Sequence, residues 1–134
     1  NQWIYHGRKL KWTEPLYQPL RELLADVYAR YGRPLLISET GTEGRERPRW
    51  FEYVTNEVQA AMQTGVPVDG ICLYPIVNHP GWDNDRHCPN GLWDYADDQG
   101  ERKIFQPLAQ ELQRQQARFE QIAPDRLPAG QGAM

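Results

Sequence analysis

The chain has 134 residues, 40% hydrophobic and 25% charged, with 15 basic against 18 acidic side chains for a net charge of −3. This is room for one domain with a real core, but too little for a closed barrel of eight strand–helix units, which takes roughly 200–250 residues. The acidic balance argues against nucleic acid as a partner, and no apolar run approaches the ~18 residues of a membrane helix. The expectation is a soluble, cytoplasmic protein without a signal peptide, whose two cysteines, Cys72 and Cys88, are free thiols rather than a bridge. The first residue is Asn and the earliest methionine is Met62, which points to a chain trimmed from something longer.

In chain order, residues 1–12 are aromatic and basic without a period and are expected to be loop. Thr13-Glu14-Pro15 is a helix-entry signal, with the regular helix expected from near Gln18. Leu20, Leu23, Leu24, Val27, Tyr28 and Tyr31 follow helical spacing, and Gly32 supplies the stop. Leu35-Leu36-Ile37-Ser38 is a short apolar run bounded by Pro34 and Gly41 and predicts a buried strand of the parallel kind. Thr40–Arg47 is polar and predicted to be loop. Pro48 opens a second helix carrying Trp50, Phe51, Val54, Val58, Ala61 and Met62, stopped by Gly65. Ile71-Cys72-Leu73-Tyr74 predicts a second buried strand that Pro75 ends.

Residues 76–100 then form a long loop holding two His, two Trp and five Asp. Loops beyond ~12–15 residues are uncommon unless functional. A third helix is expected over about Lys103–Phe119, and the Pro-, Gly- and Ala-rich tail, 122–134, is expected to be disordered. Helix, strand, helix, strand, helix is a parallel α/β pattern. Two strands cannot make a stable parallel sheet alone, so the expected architecture is about one quarter of a larger α/β fold.

Glu39 follows the first strand, at the end where α/β folds place their active sites. It is either a catalytic carboxylate or a loop glutamate paired with Arg45 or Arg47, and the motif alone leaves both open. Tyr74-Pro75-Ile76-Val77-Asn78-His79-Pro80-Gly81-Trp82-Asp83-Asn84 begins at the corresponding end of the next strand. Aromatic faces beside Asn, His and Asp suit a polyol ligand, while ordinary packing by Tyr74 and Trp82 is the competing reading. Gly91-Leu92-Trp93-Asp94-Tyr95, followed by an acidic turn, reads as structural. Asp83–Cys88 matches no EF-hand loop or Cys-x-x-Cys site, so no metal is expected. Thr55-Asn56-Glu57 contains an Asn-Glu pair but lies mid-helix, and a solvated face is expected there.

Together these segments resemble the C-terminal part of a clan A glycoside hydrolase, most nearly the family 1 β-glucosidases. Ile37-Ser38-Glu39-Thr40-Gly41 is similar to the family's Thr-Glu-Asn-Gly run ending strand seven of a (β/α)₈ TIM barrel. Gly70, Tyr74 and Trp82 fall at the family's strand-eight spacing, with Tyr replacing the first Trp. Gly91-Leu92-Trp93-Asp94-Tyr95 and Arg102-Lys103 resemble its Gly-Leu-aromatic stretch and helix entry. Two departures, Thr40 in place of Asn and Gly81 in place of a sugar-binding Glu, keep the resemblance at the level of the clan.

The resemblance implies strands seven and eight with their helices over 1–121, and a carbohydrate substrate without a cofactor. It implies Glu39 as the nucleophile of a retaining O-glycosidase, with Trp3, Tyr74, Asn78, His79, Trp82 and Asp83 binding substrate. The acid/base Glu of strand four is absent from this chain, so these residues alone are expected to be inactive and to need the remainder of the barrel, or self-association, to cover the sheet edges. A non-catalytic carbohydrate-binding barrel relative and a stand-alone oligomerising interaction domain are the alternatives.

Overall fold

The computed structural model describes residues 13–122 and two short strands before them, β1 (Trp3–Tyr5) and β2 (Arg8–Leu10). The tail expected to be disordered lies, from residue 123 on, outside the described residues. β1 and β2 pair antiparallel, Trp3 opposite Leu10 and Tyr5 opposite Arg8, where a loop was expected. Trp, Ile and Tyr are β-favouring residues, but three of them are too few for a period to show.

α1 (Leu20–Tyr31) starts at Pro19, without a side-chain cap, and ends where Gly32 turns left-handed at φ 59° and returns its N–H to Tyr28 O. Thr13 does not cap it. A separate turn precedes the helix, in which the Tyr17 N–H bonds Glu14 O. β3 (Leu35–Thr40) follows, two residues longer than the apolar run. Where loop was expected, a single 3₁₀ turn, Gly44–Glu46, leads directly into α2 (Arg47–Gln63), with Pro48 in its first turn. β4 (Val68–Leu73) pairs parallel with β3, the strand–helix–strand unit that the alternating pattern predicts.

Leu24, Val54, Val58, Ala61, Val66 and Val68 form the core, with Leu35, Ile37 and Ile71 packed on it from the sheet. Among the described residues helix cover lies on one face only. On the other, Leu36 is 58% exposed, and Ser38 and Cys72 are exposed as well. The expectation of fully buried strands is thus half met, because a two-stranded sheet with one layer of helices has an open face. Both cysteines are free thiols, Cys72 exposed and Cys88 buried.

The long loop is built of two small hairpins. β5 (His79–Pro80) pairs with β6 (His87–Cys88), and β7 (Trp93–Ala96) with β8 (Arg102–Ile104). The second hairpin closes on Asp97, whose Oδ1 accepts the N–H groups of Gln99 and Glu101, and on Gly100 at φ 83°. Because Arg102–Ile104 is committed to β8, α3 (Gln106–Ile122) begins three residues later than the helical spacing suggests. Within α2 the expected solvated face holds for Asn56, which is exposed, but not for its two neighbours. Thr55 is buried with its hydroxyl donating to Phe51 O, and Glu57 is buried, accepting from both the backbone N–H and the guanidinium of Arg21 on α1.

α3 packs on α2, and its Leu108 is wholly buried. Leu108→Ala is expected to cost about 2–5 kcal/mol, through lost transfer energy and the cavity left behind. Leu16→Ala, at an exposed site, is expected to stay within about 0.5 kcal/mol. Urea unfolding of the two variants checks the contrast.

Candidate functional site

The ends of β3 and β4 are joined by a hydrogen bond from the Tyr74 N–H to Thr40 O at 2.9 Å. They approach so closely that a Cβ on Gly41 would fall 1.9 Å from Tyr74 O, so only glycine fits there. The pairing is not regular. It passes from Ile37 opposite Ile71 to Thr40 opposite Leu73, three steps on β3 against two on β4. This bulge shifts the alternation and puts Thr40, not Glu39, on the helix side. Thr40 is buried, and its Oγ1 accepts the Trp50 indole N–H at 2.8 Å. Glu39 is therefore exposed on the open face, as is Tyr74 by the alternation of β4.

Among the described residues Glu39 makes no hydrogen bond or ion pair. The competing reading, a pair with Arg45 or Arg47, is not what the structure has. Arg47 donates through Nε to Gly44 O at 2.7 Å and through Nη1 to Gly91 O, and its guanidinium lies 3.8 Å from the Phe105 ring centroid.

The other sequence-derived candidates do not form one cluster. Tyr74 and His79 sit together, ring centroids 6.0 Å apart. His79 Nε2 accepts from Asn90 Nδ2 at 3.1 Å and Nδ1 lies 2.8 Å from Pro80 O, an arrangement that in the neutral ring places the proton on Nδ1. Asn78 is buried, and its amide is spent within the chain. Its Oδ1 accepts the Gly91 N–H at 2.6 Å and its Nδ2 donates to Asp94 Oδ1 at 2.9 Å. Both ends of its amide thus hold a loop in place. Trp82 is 84% exposed and Asp83 is exposed, both at the tip of the β5–β6 hairpin. Trp3 belongs by backbone to β1, and its side chain lies outside the described residues.

Sequence reasoning missed the pair that fastens the two loops. Arg86 grips Glu43 with two parallel N–H···O bonds, both at 2.8 Å. This grip holds the Glu43 carboxyl below the usual carboxylate range, against a smaller opposing effect of burial, and raises Arg86 in turn. The partners stand 43 positions apart, so no local spacing announces them. Asp94 is likewise held low, chiefly by the Tyr95 N–H and then by Asn78. No group of three or more His, Cys, Asp and Glu able to hold a metal occurs among the described residues.

No protein-family model matches the chain, and no curated protein sequence does. Solved structures do. The β-glycosidase of the hyperthermophile Thermosphaera aggregans aligns with a TM-score of 0.63 at 22% identity, covering 72% of this chain and 21% of its own. Aphid myrosinase gives 0.64 at 21% identity, covering 78% and 27%. A β-glucosidase designated 1317 gives 0.64 at 18% identity, covering 94% and 31%. The chain thus has the α/β fold of one portion of β-glycosidases and spans between about a fifth and a third of their length.

A carboxyl whose folded pKa is depressed adds stability that is present above its unfolded pKa, about 4.3 for Glu, and is lost as pH falls through the folded value. Glu43 is therefore expected to titrate below an ordinary glutamate in the native protein and to return upward in Arg86→Gln. Carboxyl ¹³C NMR across pH 2–6 checks this, and an unchanged Glu43 midpoint in the variant overturns it.

Proposed function

We propose that this chain is the C-terminal portion of a retaining O-glycoside hydrolase, corresponding to strands seven and eight of a (β/α)₈ barrel, with Glu39 as the nucleophile. The observation that carries the reading is an exposed, uncommitted carboxylate at the C-terminal end of a parallel strand. The fold around it is one shared with β-glycosidases. Among the described residues β3 and β4 pair only with each other, which suits strands that continue into a larger sheet. The partner that completes the site is then the remainder of the barrel.

The chemistry divides between two carboxyl groups about 5–5.5 Å apart. Glu39 attacks the anomeric carbon, while a carboxylic acid outside this chain gives its proton to the departing glycosidic oxygen as the C–O bond breaks. The same outside group, now a carboxylate, takes a proton from water, which attacks the anomeric carbon and releases Glu39. The second carboxyl is the acid/base group, and this chain supplies only the first. Tyr74 and Trp82 offer aromatic faces to the apolar C–H faces of a sugar. His79 and Asp83 offer hydrogen bonds to its hydroxyls, and Trp3 joins them from β1.

In the complete protein, Glu39→Gln removes the nucleophile and is expected to lower kcat for an aryl β-glycoside by at least about 10³-fold, with an unchanged unfolding transition. A 2-deoxy-2-fluoro glycoside is expected to label Glu39, which peptide mass spectrometry locates. Unchanged turnover in the variant, or a label elsewhere, overturns the assignment. Sugar binding without turnover or labelling by the wild-type protein would mark a binding relative. The 134-residue chain alone is expected to show no turnover of the same substrate above the uncatalysed rate.

A further inference from the structure

Arg47 is the most deeply buried cation among the described residues, 8% exposed, and no carboxylate of those residues bonds it directly. Burial lowers its pKa and only the more distant Asp94 opposes this. A buried charge satisfied by carbonyls and one aromatic face is a costly way to fill space. What the guanidinium does there is geometric. Nε takes the carbonyl of Gly44, in the segment that follows Glu39. Nη1 takes the carbonyl of Gly91, in the segment that follows Tyr74 and His79. The flat face lies on Phe105, at the entrance to α3.

The two anchored glycines are themselves tied onward. The Gly44 N–H bonds Pro89 O at 2.8 Å, so the two loops are joined a second time beside the guanidinium. The Gly91 N–H goes to Asn78 Oδ1, and a Cβ on Gly91 would fall 2.4 Å from the Asn78 backbone nitrogen. Gly91 therefore cannot shift without carrying Asn78, and His79 is the next residue. A continuous path runs from the segment after Glu39, through Arg47 and Gly91, to the residues beside Tyr74.

We propose that Arg47 is a positioning residue that sets the Tyr74–His79 wall of the site against Glu39, by spanning the Gly44 and Gly91 carbonyls with one planar fork. The inference rests on the glycosidase reading and deepens it. Lysine cannot replace the fork: its single nitrogen reaches one carbonyl or the other, and it has no flat face for Phe105. Misplacement of about 1 Å away from the chemistry is enough to cost on the order of 10²-fold in rate.

The test uses the complete protein as wild type, Arg47→Lys and Arg47→Gln. A 2-deoxy-2-fluoro glycoside with a good leaving group counts competent sites by its burst. The trapping rate constant, kcat and KM are then expressed per titrated site. The expected result is near-full labelling of Glu39 in Arg47→Lys, with the trapping rate constant and kcat per site lowered about 10- to 100-fold and KM within about threefold. A merely structural arginine would lower the number of sites and leave each at its normal rate. Rates per site within about twofold of wild type in both variants overturn the proposal, as does failure of both to fold. A wild-type protein that is not labelled at Glu39 removes the glycosidase reading first, and this inference with it.

Discussion

The parallel pairing of β3 with β4 is the constraint on which the rest of the chain depends. One hydrogen bond, Tyr74 N–H to Thr40 O, closes the pair at its C-terminal end. The missing side chain of Gly41 lets the second backbone come within contact distance. Everything of chemical interest leaves the fold from there. A longer residue at position 41 would separate the strand ends and the loops that follow them. The bulge between Ile37 and Thr40 is the second half of the same constraint, since without it Glu39 would point under the helices with Ile37.

Helix packing makes that pairing rigid through polar contacts as well as the core. Glu57 is buried at a place where an unpaired carboxylate would be costly, yet two donors from Arg21 meet it, one backbone and one guanidinium. This fastens the start of α1 to the middle of α2. The Trp50 indole ties α2 to the end of β3 through Thr40. Arg114 on α3 reaches Glu52 on α2, and Arg118 reaches Asn56. These outer contacts are exposed and contribute little energy each. Their effect is on the register of α3 against α2.

Local signals in the sequence carried the element types well, and non-local ones carried little. Leu20, Leu23, Leu24, Val27 and Tyr28 repeat at helical spacing over more than two turns, and Gly32 stops them where its left-handed φ requires glycine. The apolar runs at Leu35 and Ile71 bounded by Pro and Gly were enough to find both parallel strands. Shorter elements were not legible. β5 and β6 have two residues each, and their pairing is decided by the turn around Asn84, whose side chain accepts the Arg86 N–H, not by any period. The start of α3 was misjudged because Lys103 and Ile104 satisfy a helical pattern and a strand equally. The strand won because β7 lay beside it and Asp97–Gly100 closed the hairpin. At the site, the position of Glu39 could be read from the strand that precedes it, but its orientation depends on a bulge that only the pairing reveals. The Glu43–Arg86 and Arg47–Gly91 contacts join residues more than 40 positions apart, and a single sequence contains nothing that couples them.

The disposition of charge at the strand ends follows from the same contacts and bears on the proposed chemistry. Three cations of these loops are already committed: Arg86 to the Glu43 carboxylate, Arg47 to two carbonyls, and Arg102 to the Asp94 carbonyl. Glu39, Asp83 and Asp85 are exposed carboxylates without such partners among the described residues. Arg45 is exposed there too, without a partner among the described residues, so unpartnered carboxylates outnumber unpartnered cations in the segments that follow β3 and β4 without being fully uncompensated. Glycoside cleavage develops positive charge on the sugar ring in its oxocarbenium-like transition state. A fixed negative field stabilises that charge more than the neutral ground state, which is the differential binding that lowers a barrier. The salt bridge at Arg86 therefore does two things at once. It holds the β5–β6 hairpin against the segment after Glu39, and it neutralises a cation that would otherwise offset the exposed carboxylates of these loops.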